Sequence, residues 1–190
     1  MKLHIRRPFL IIAFAVFSLL LLFYFIQGNN KKSVPQGQTV SKASPGLPMR
    51  LTIPAINVNA AVQYVGVTPK GDMEVPNNAT DVGWFKLGLR PGEIGSAVIA
   101  GHFNGKNGEE AVFFNLYKLK VGDKLYVEDD KGTSTTFVVR ESRTYGLGYA
   151  EEVFSSNDNA HLNLITCDGV WDGAKKSYDK RLVVFADIVN

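Results

Sequence analysis

Between residues 51 and 190 the chain is cut into short apolar or alternating runs, and this pattern most limits what it can fold into. The runs occupy 51–53, 60–65, 96–100, 124–128, 135–144, 162–167 and 181–189. They are too short for stable helices, and most are rich in β-branched residues or alternate in polarity, which is strand chemistry. Turn clusters separate them: Thr68-Pro69-Lys70-Gly71-Asp72, Arg90-Pro91-Gly92-Glu93, Val121-Gly122-Asp123 and Asp129-Asp130-Lys131-Gly132. Gly, Pro and Asp are the residues that make turns cheap. Asp130 to Gly132, set between two alternating runs, predicts a β-hairpin. Short helical pieces are predicted over 111–119 and 149–154. Seven or eight short strands at this spacing predict an all-β domain, a closed barrel or a sandwich. The 140 residues are enough for one domain with a real core.

The first fifty residues read differently. Residues 9–26 form an 18-residue stretch without a charge. As a helix at about 1.5 Å per residue it would span roughly 27 Å, close to a bilayer core. Lys2, Arg6 and Arg7 precede it, and no small-x-small cleavage site follows, because the next residues are Gln27-Gly28-Asn29-Asn30. These features predict an uncleaved signal-anchor rather than a cleaved signal peptide. The basic residues before the span place the N-terminus, 1–8, inside and the bulk of the chain outside. Residues 27–47 are rich in Lys, Ser, Gly, Gln and Pro, cannot bury a core, and read as a flexible stalk before a folded domain over 48–190.

Charge follows the same division. Of 21 Lys and Arg, seven lie in 1–50, where there is no acid; the remaining 14 face all 18 acids, a net charge of −4 on the folded part. Nucleic-acid binding would need a basic patch there, so that class is excluded. No glycine-rich phosphate loop and no Cys/His set with metal spacing is present.

The chemistry points to one segment, Leu162-Asn163-Leu164-Ile165-Thr166-Cys167-Asp168-Gly169. It holds the only cysteine of the chain. As a strand it sets Leu162, Leu164 and Thr166 on one face and Asn163, Ile165 and Cys167 on the other. Asp168-Gly169 is a turn signal, so the thiol is predicted where a strand gives way to a loop over 168–180. A lone buried thiol is more often a small hydrophobe than a nucleophile, so the surroundings decide. A thiol nucleophile needs a base and a stabiliser for the oxyanion. His4 precedes the apolar span and is out of reach. His161, in a polar run, reads as a solvated loop residue. His102 follows Ala97-Val98-Ile99-Ala100-Gly101 and so also emerges at a strand end. Arg181 opens the run 182–185; if that strand pairs antiparallel with the cysteine strand, Cys167 and Arg181 sit side by side. An arginine there is always charged and can donate several hydrogen bonds.

Gly101-His102, Leu164-Ile165-Thr166-Cys167 and a downstream Arg181 at a strand start resemble the sortases, membrane-anchored cysteine transpeptidases of Gram-positive bacteria. Ile53-Pro54-Ala55-Ile56, Ala111-Val112-Phe113-Phe114-Asn115-Leu116 and Leu182-Val183-Val184-Phe185-Ala186 extend the resemblance, which is greatest to class F and covers 48–190. One departure is Asp168, where many class F members carry Gly. The resemblance implies an eight-stranded β-barrel with short helices, preceded by one transmembrane helix. It implies Cys167 as nucleophile, His102 as general acid and base, and Arg181 as stabiliser of oxyanion or substrate, with Thr166 and Asp168 as substrate contacts. The implied substrates are secreted proteins with a C-terminal sorting signal of the Leu-Pro-x-Thr-Gly type, cut between Thr and Gly. The Thr would then be joined to an amine from a peptidoglycan precursor or another protein. Residues 145–160 and 168–180 are the predicted walls of the groove.

The chemistry requires no metal or other cofactor. Glu109-Glu110 and Glu151-Glu152, the acidic pairs nearest to a calcium-ligand pattern, read as solvated faces. The implied location is the cell membrane, single-pass, with the catalytic domain outside. Two other readings use the same residues differently. A membrane-tethered cysteine hydrolase would share the site but lack amine selectivity. A non-catalytic β adhesion module would bury Cys167 and leave His102 and Arg181 far from it.

Overall fold

A computed structural model of the chain describes residues 44–189 apart from 149, 150 and 157. The predicted membrane span at 9–26 and most of the predicted stalk lie outside the described residues. Among the described residues no helix is long and apolar enough to cross a membrane.

Eight strands close into a barrel. They are β1 (Pro48–Ile53), β2 (Val58–Val65), β3 (Val82–Phe85), β4 (Gly95–Ala100), β5 (Lys124–Asp129), β6 (Ser134–Gly146), β7 (Ala160–Asp172) and β8 (Ser177–Ile188). The order round the barrel is β1-β2-β3-β4-β7-β8-β6-β5, and β5 pairs back on β1. The pairs β2/β3 and β4/β7 are parallel, and the others are antiparallel. The all-β closed barrel expected from the sequence is therefore the fold. β3 is the strand that the run pattern missed. Val82-Gly83-Trp84-Phe85 has a glycine at its second position and only four residues, so neither alternation nor length marks it.

The alternating strands put one face inside. Leu51 and Ile53 on β1, Leu125 and Val127 on β5, and Phe137 and Val139 on β6 fill the barrel with Ile99, Leu162, Leu164 and Val184. Each such side chain contributes about 1.5–3 kcal/mol relative to exposure. β4 is a continuous apolar run over Ala97–Ala100, and it and the start of β7 are buried on both faces, although β7 carries His161 and Asn163 there. Inside lies the main core. Outside, Val98, Val183 and Phe185 pack with Val153 of α1 (Glu151–Phe154).

The hairpin at Asp130 to Gly132 forms as predicted. Asp129 Oδ1 accepts the N–H groups of Lys131 and Thr133, and Gly132 takes φ +75°. Other local expectations are revised. The helix predicted over 111–119 is reduced to turns and a 3-10 helix at Leu116–Lys118. Residues 44–47, assigned by composition to the stalk, are tied to the barrel: Gly46 N–H and Leu47 N–H donate to the carboxylates of Asp129 and Asp130.

The loop predicted over 168–180 is mostly strand. β7 runs on past Asp168-Gly169 and pairs again with β8 at Trp171↔Tyr178 and Asp172↔Ser177. The turn signal appears as an irregularity in register between Asp168 and Trp171, where Gly169 takes φ +85°. A β-bulge absorbs a glycine without ending the strand.

His161 is not a solvated loop residue. It is 6% exposed, with Nδ1 2.7 Å from Asp187 and Nε2 2.9 Å from Asp158. The polar run before it supplies one carboxylate partner, Asp158, and β8 supplies the other, Asp187. Glu152 likewise is more than a solvated charge: it accepts the Tyr145 hydroxyl and pairs with Arg143 at 3.3 Å.

Candidate active site

Parallel pairing of β4 with β7 brings the histidine and the cysteine together. Ala100 stands opposite Ile165. One residue further on, Gly101 N–H donates to the Ile165 carbonyl at 3.0 Å. The Thr166 hydroxyl then donates to the Gly101 carbonyl at 2.9 Å. These two bonds lock the end of β4 onto β7 just where His102 leaves one strand and Cys167 follows on the other. Gly101 suits this crossing because a Cβ there would lie 2.5 Å from Phe113 Cδ2. Phe113 N–H in turn donates to the His102 carbonyl at 3.0 Å.

Arg181 arrives from the other side of β7. The antiparallel register sets Cys167 opposite Arg181, the pairing the sequence required for the two to be neighbours. The guanidinium is held along the β7–β8 hairpin: one nitrogen donates to the carbonyls of Tyr178 (3.0 Å) and Lys180 (2.7 Å), and the other to the Ser177 hydroxyl (3.3 Å).

His102 and Cys167 open into one cavity of about 820 Å³. Its walls come from two loops and a hairpin tip: Asn77 and Asn78 before β3, Phe103 to Glu109 after β4, and Trp171 and Lys176 to Tyr178 of β7–β8. Aromatic rings join two of these walls. Trp171 stands edge-on to Tyr178 at 5.3 Å, Tyr178 to Phe103 at 5.6 Å, and Phe103 lies 5.0 Å from Phe114. The wall expected at 168–180 is thus present as a hairpin, whereas none of the described residues of 145–160 lines this cavity.

Cys167 is half-buried. Burial pushes its thiol above the usual range, and the neighbouring Arg181 charge pulls it partly back. His102 Nε2 lies 2.8 Å from the Pro76 carbonyl oxygen. That carbonyl is a partner no sequence pattern announces, because every residue has one.

Thr166 and Asp168, expected as substrate contacts, do not line the cavity. The Thr166 side chain faces the interior and gives its hydroxyl to Gly101. Asp168 accepts the Thr144 hydroxyl of β6 at 2.9 Å. Both follow from strand alternation and a neighbouring strand already in place. Among the described residues no group of three or more His, Cys, Asp or Glu side chains is placed to hold a metal.

Known proteins carry the same architecture. The family model for the Sortase domain matches residues 51–189. No curated protein sequence matches the chain significantly. Among solved structures, sortase C-1 from Actinomyces oris is similar at TM-score 0.60 and 22% identity, over 74% of this chain and 73% of that one. Sortase C from Clostridium perfringens SM101 is similar at TM-score 0.56 and 19% identity, over 77% and 72%. Sortase A from Corynebacterium diphtheriae is similar at TM-score 0.57 and 22% identity, over 78% and 63%. At these identities the structures speak for the fold; the family match covers almost the whole barrel, and with it the chain belongs to the sortases, a family of cysteine transpeptidases.

Proposed function

We propose that the Cys167–His102 cavity cleaves a sorting signal of the Leu-Pro-x-Thr-Gly type between Thr and Gly and joins the Thr to an amine. The observation that carries this reading is the convergence of His102 and Cys167 on one cavity, with Arg181 directly across the sheet from the thiol. Cys167 attacks the Thr carbonyl as the thiolate. His102 protonates the departing Gly nitrogen, and a thioester to Cys167 remains. The incoming amine then attacks that thioester and gives its proton to His102, and the Cys167 thiolate leaves. A thiol raised by burial is mostly protonated at neutral pH, so transfer of its proton to His102 belongs to the first step. Arg181 favours the thiolate by its charge. Its part at the oxyanion requires a guanidinium N–H turned from the hairpin carbonyls toward the cavity.

The remaining parts of the reading rest on sequence. Residues 9–26 anchor the chain in the membrane, 1–8 stay inside, 27–43 form the stalk, and the barrel domain with its tied-down lead-in from residue 44 acts outside the cell. The class most like this chain is F, on the stretches around Pro54, Phe113 and Val184. Substrates are secreted proteins with a C-terminal signal, and the acceptor amine belongs to a peptidoglycan precursor or to another protein.

The test is mass spectrometry after incubating the protein with a Leu-Pro-x-Thr-Gly peptide library and a small amine, beside a Cys167→Ala control. The expected product carries the amine on Thr and is absent from the control. Cleavage with only water added would instead favour a hydrolase. No cleavage, together with slow alkylation of Cys167, would refute the catalytic reading.

A further inference from the structure

We propose that Asp81 and Gln63 are positioning residues for His102, acting through the peptide unit that joins Pro76 to Asn77. This rests on the reading of His102 as the acid and base of the reaction. A carbonyl oxygen only accepts, so at 2.8 Å from the Pro76 carbonyl the His102 Nε2 carries a proton. In the neutral ring Nδ1 is then the basic nitrogen, the one not engaged by the Pro76 carbonyl, on a residue that lines the cavity.

The Pro76 carbonyl lies in the crossover between β2 and β3, and Gln63 of β2 holds it. The N–H of Asn77, on the same peptide plane as that carbonyl, donates to Gln63 Oε1 at 3.0 Å. Gln63 Nε2 donates to Asn77 Oδ1 and to Asp81 Oδ2, both at 2.9 Å. The Gln63 amide cannot be turned over, because its oxygen would then face two oxygens. Asp81 is braced from its other side, where Asn78 Nδ2 donates to it at 2.8 Å.

The result is one directed chain: Asp81 carboxylate, Gln63 amide, Pro76–Asn77 peptide, His102 imidazole. The imidazole donates at one end and the carboxylate accepts at the other, while the peptide unit and the Gln63 amide each do both, so each polarises the next. Donation from the Asn77 N–H makes the Pro76 oxygen a better acceptor for His102. In many enzymes a carboxylate touches the catalytic imidazole directly and selects its tautomer. Here two amides stand between them. The hydrogen bonds from Gln63 and Asn78 hold the Asp81 carboxyl below its usual range, so the chain keeps its charged end near neutral pH.

The test uses the full chain with ¹⁵N-labelled histidine, assayed in parallel for transpeptidation. In the wild type His102 should show an Nε2–H slow to exchange with solvent. Gln63→Leu should lose that signal and lower kcat about tenfold, which is about 1.4 kcal/mol of transition-state stabilisation, with KM within about twofold. Gln63→Glu should behave as badly, since it sets two carboxylates together. Adding Asp81→Asn to it restores one donor facing one acceptor and should return both the ring signal and most of kcat. An unchanged ring signal and kcat in Gln63→Leu would overturn the proposal. So would an effect confined to KM, which would make the network a cavity wall, or a double variant no better than Gln63→Glu alone. Full turnover in His102→Gln would remove His102 from the reaction and with it the catalytic half of the proposal. The ring signal would still decide whether Asp81 and Gln63 hold the imidazole.

Discussion

Thr166 is the position where stability and chemistry meet most directly, and Thr166→Val isolates its hydroxyl. The side chain is 3% exposed, and its one polar group donates to the Gly101 carbonyl at 2.9 Å. Valine matches the shape and deletes the donor. The Gly101 oxygen then stays buried without that partner, a cost of about 1–3 kcal/mol. For a domain of this size that lowers Tm by about 2–10 °C. Thr166→Ser keeps the donor and loses one buried methyl, a cost of about 1 kcal/mol. The functional readout separates the two more sharply. Gly101 precedes His102, so the valine variant frees the histidine's backbone and should lose turnover several-fold, while the serine variant should stay near wild type. The assay is urea unfolding of each variant beside aminolysis of a sorting-signal peptide. A valine variant no less stable than the serine variant, or one with wild-type turnover, would refute the argument that this bond joins β4 to β7 at the site.

Other consequences can be checked separately. Arg181→Met removes the charge that partly offsets the burial of Cys167. Alkylation of the thiol should therefore slow at neutral pH and its pH profile should move upward; an unchanged profile would mean that the charge does not reach the sulfur. The folded thiol already titrates above its unfolded value, so this group adds stability below the ordinary thiol pKa and withdraws it as pH rises, a loss readable as a falling Tm in alkali that Cys167→Ala should lessen. Gly101→Ala drives a methyl into the Phe113 ring and should cost about 1–3 kcal/mol, partly recovered by adding Phe113→Leu. Trp171, 52% exposed on the cavity wall, should tolerate alanine within about 0.5 kcal/mol of stability while KM for substrate rises. A KM equal to wild type would remove the hairpin tip from recognition.

The barrel was legible because its strands carry their own signal. Leu51 and Ile53, or Leu125 and Val127, alternate with polar residues, and alternation survives whatever the partner strand is. That His102, Cys167 and Arg181 stand as neighbours was legible for a related reason: the first two follow apolar runs, and Arg181 begins one. What failed were inferences about polar or flexible-looking segments. Asp168-Gly169 looks like a turn, yet β8 was long enough to hold the chain extended through it. His161 sits in a polar run, yet Asp158 and Asp187 make its burial affordable.

By itself, then, the sequence determined the class of fold, the division into a basic leading segment and an acidic folded part, and the residues able to do thiol chemistry. These depend on side-chain type and local period, which a chain carries before it folds. Only the tertiary structure decided what surrounds that chemistry. It faced Thr166 inward onto Gly101, turned the Arg181 guanidinium along the hairpin, and placed the Pro76 carbonyl and its Gln63–Asp81 support behind His102. Most of those contacts run through backbone carbonyls and N–H groups common to every position, and backbone groups leave no mark in sequence until folding brings them to their partners.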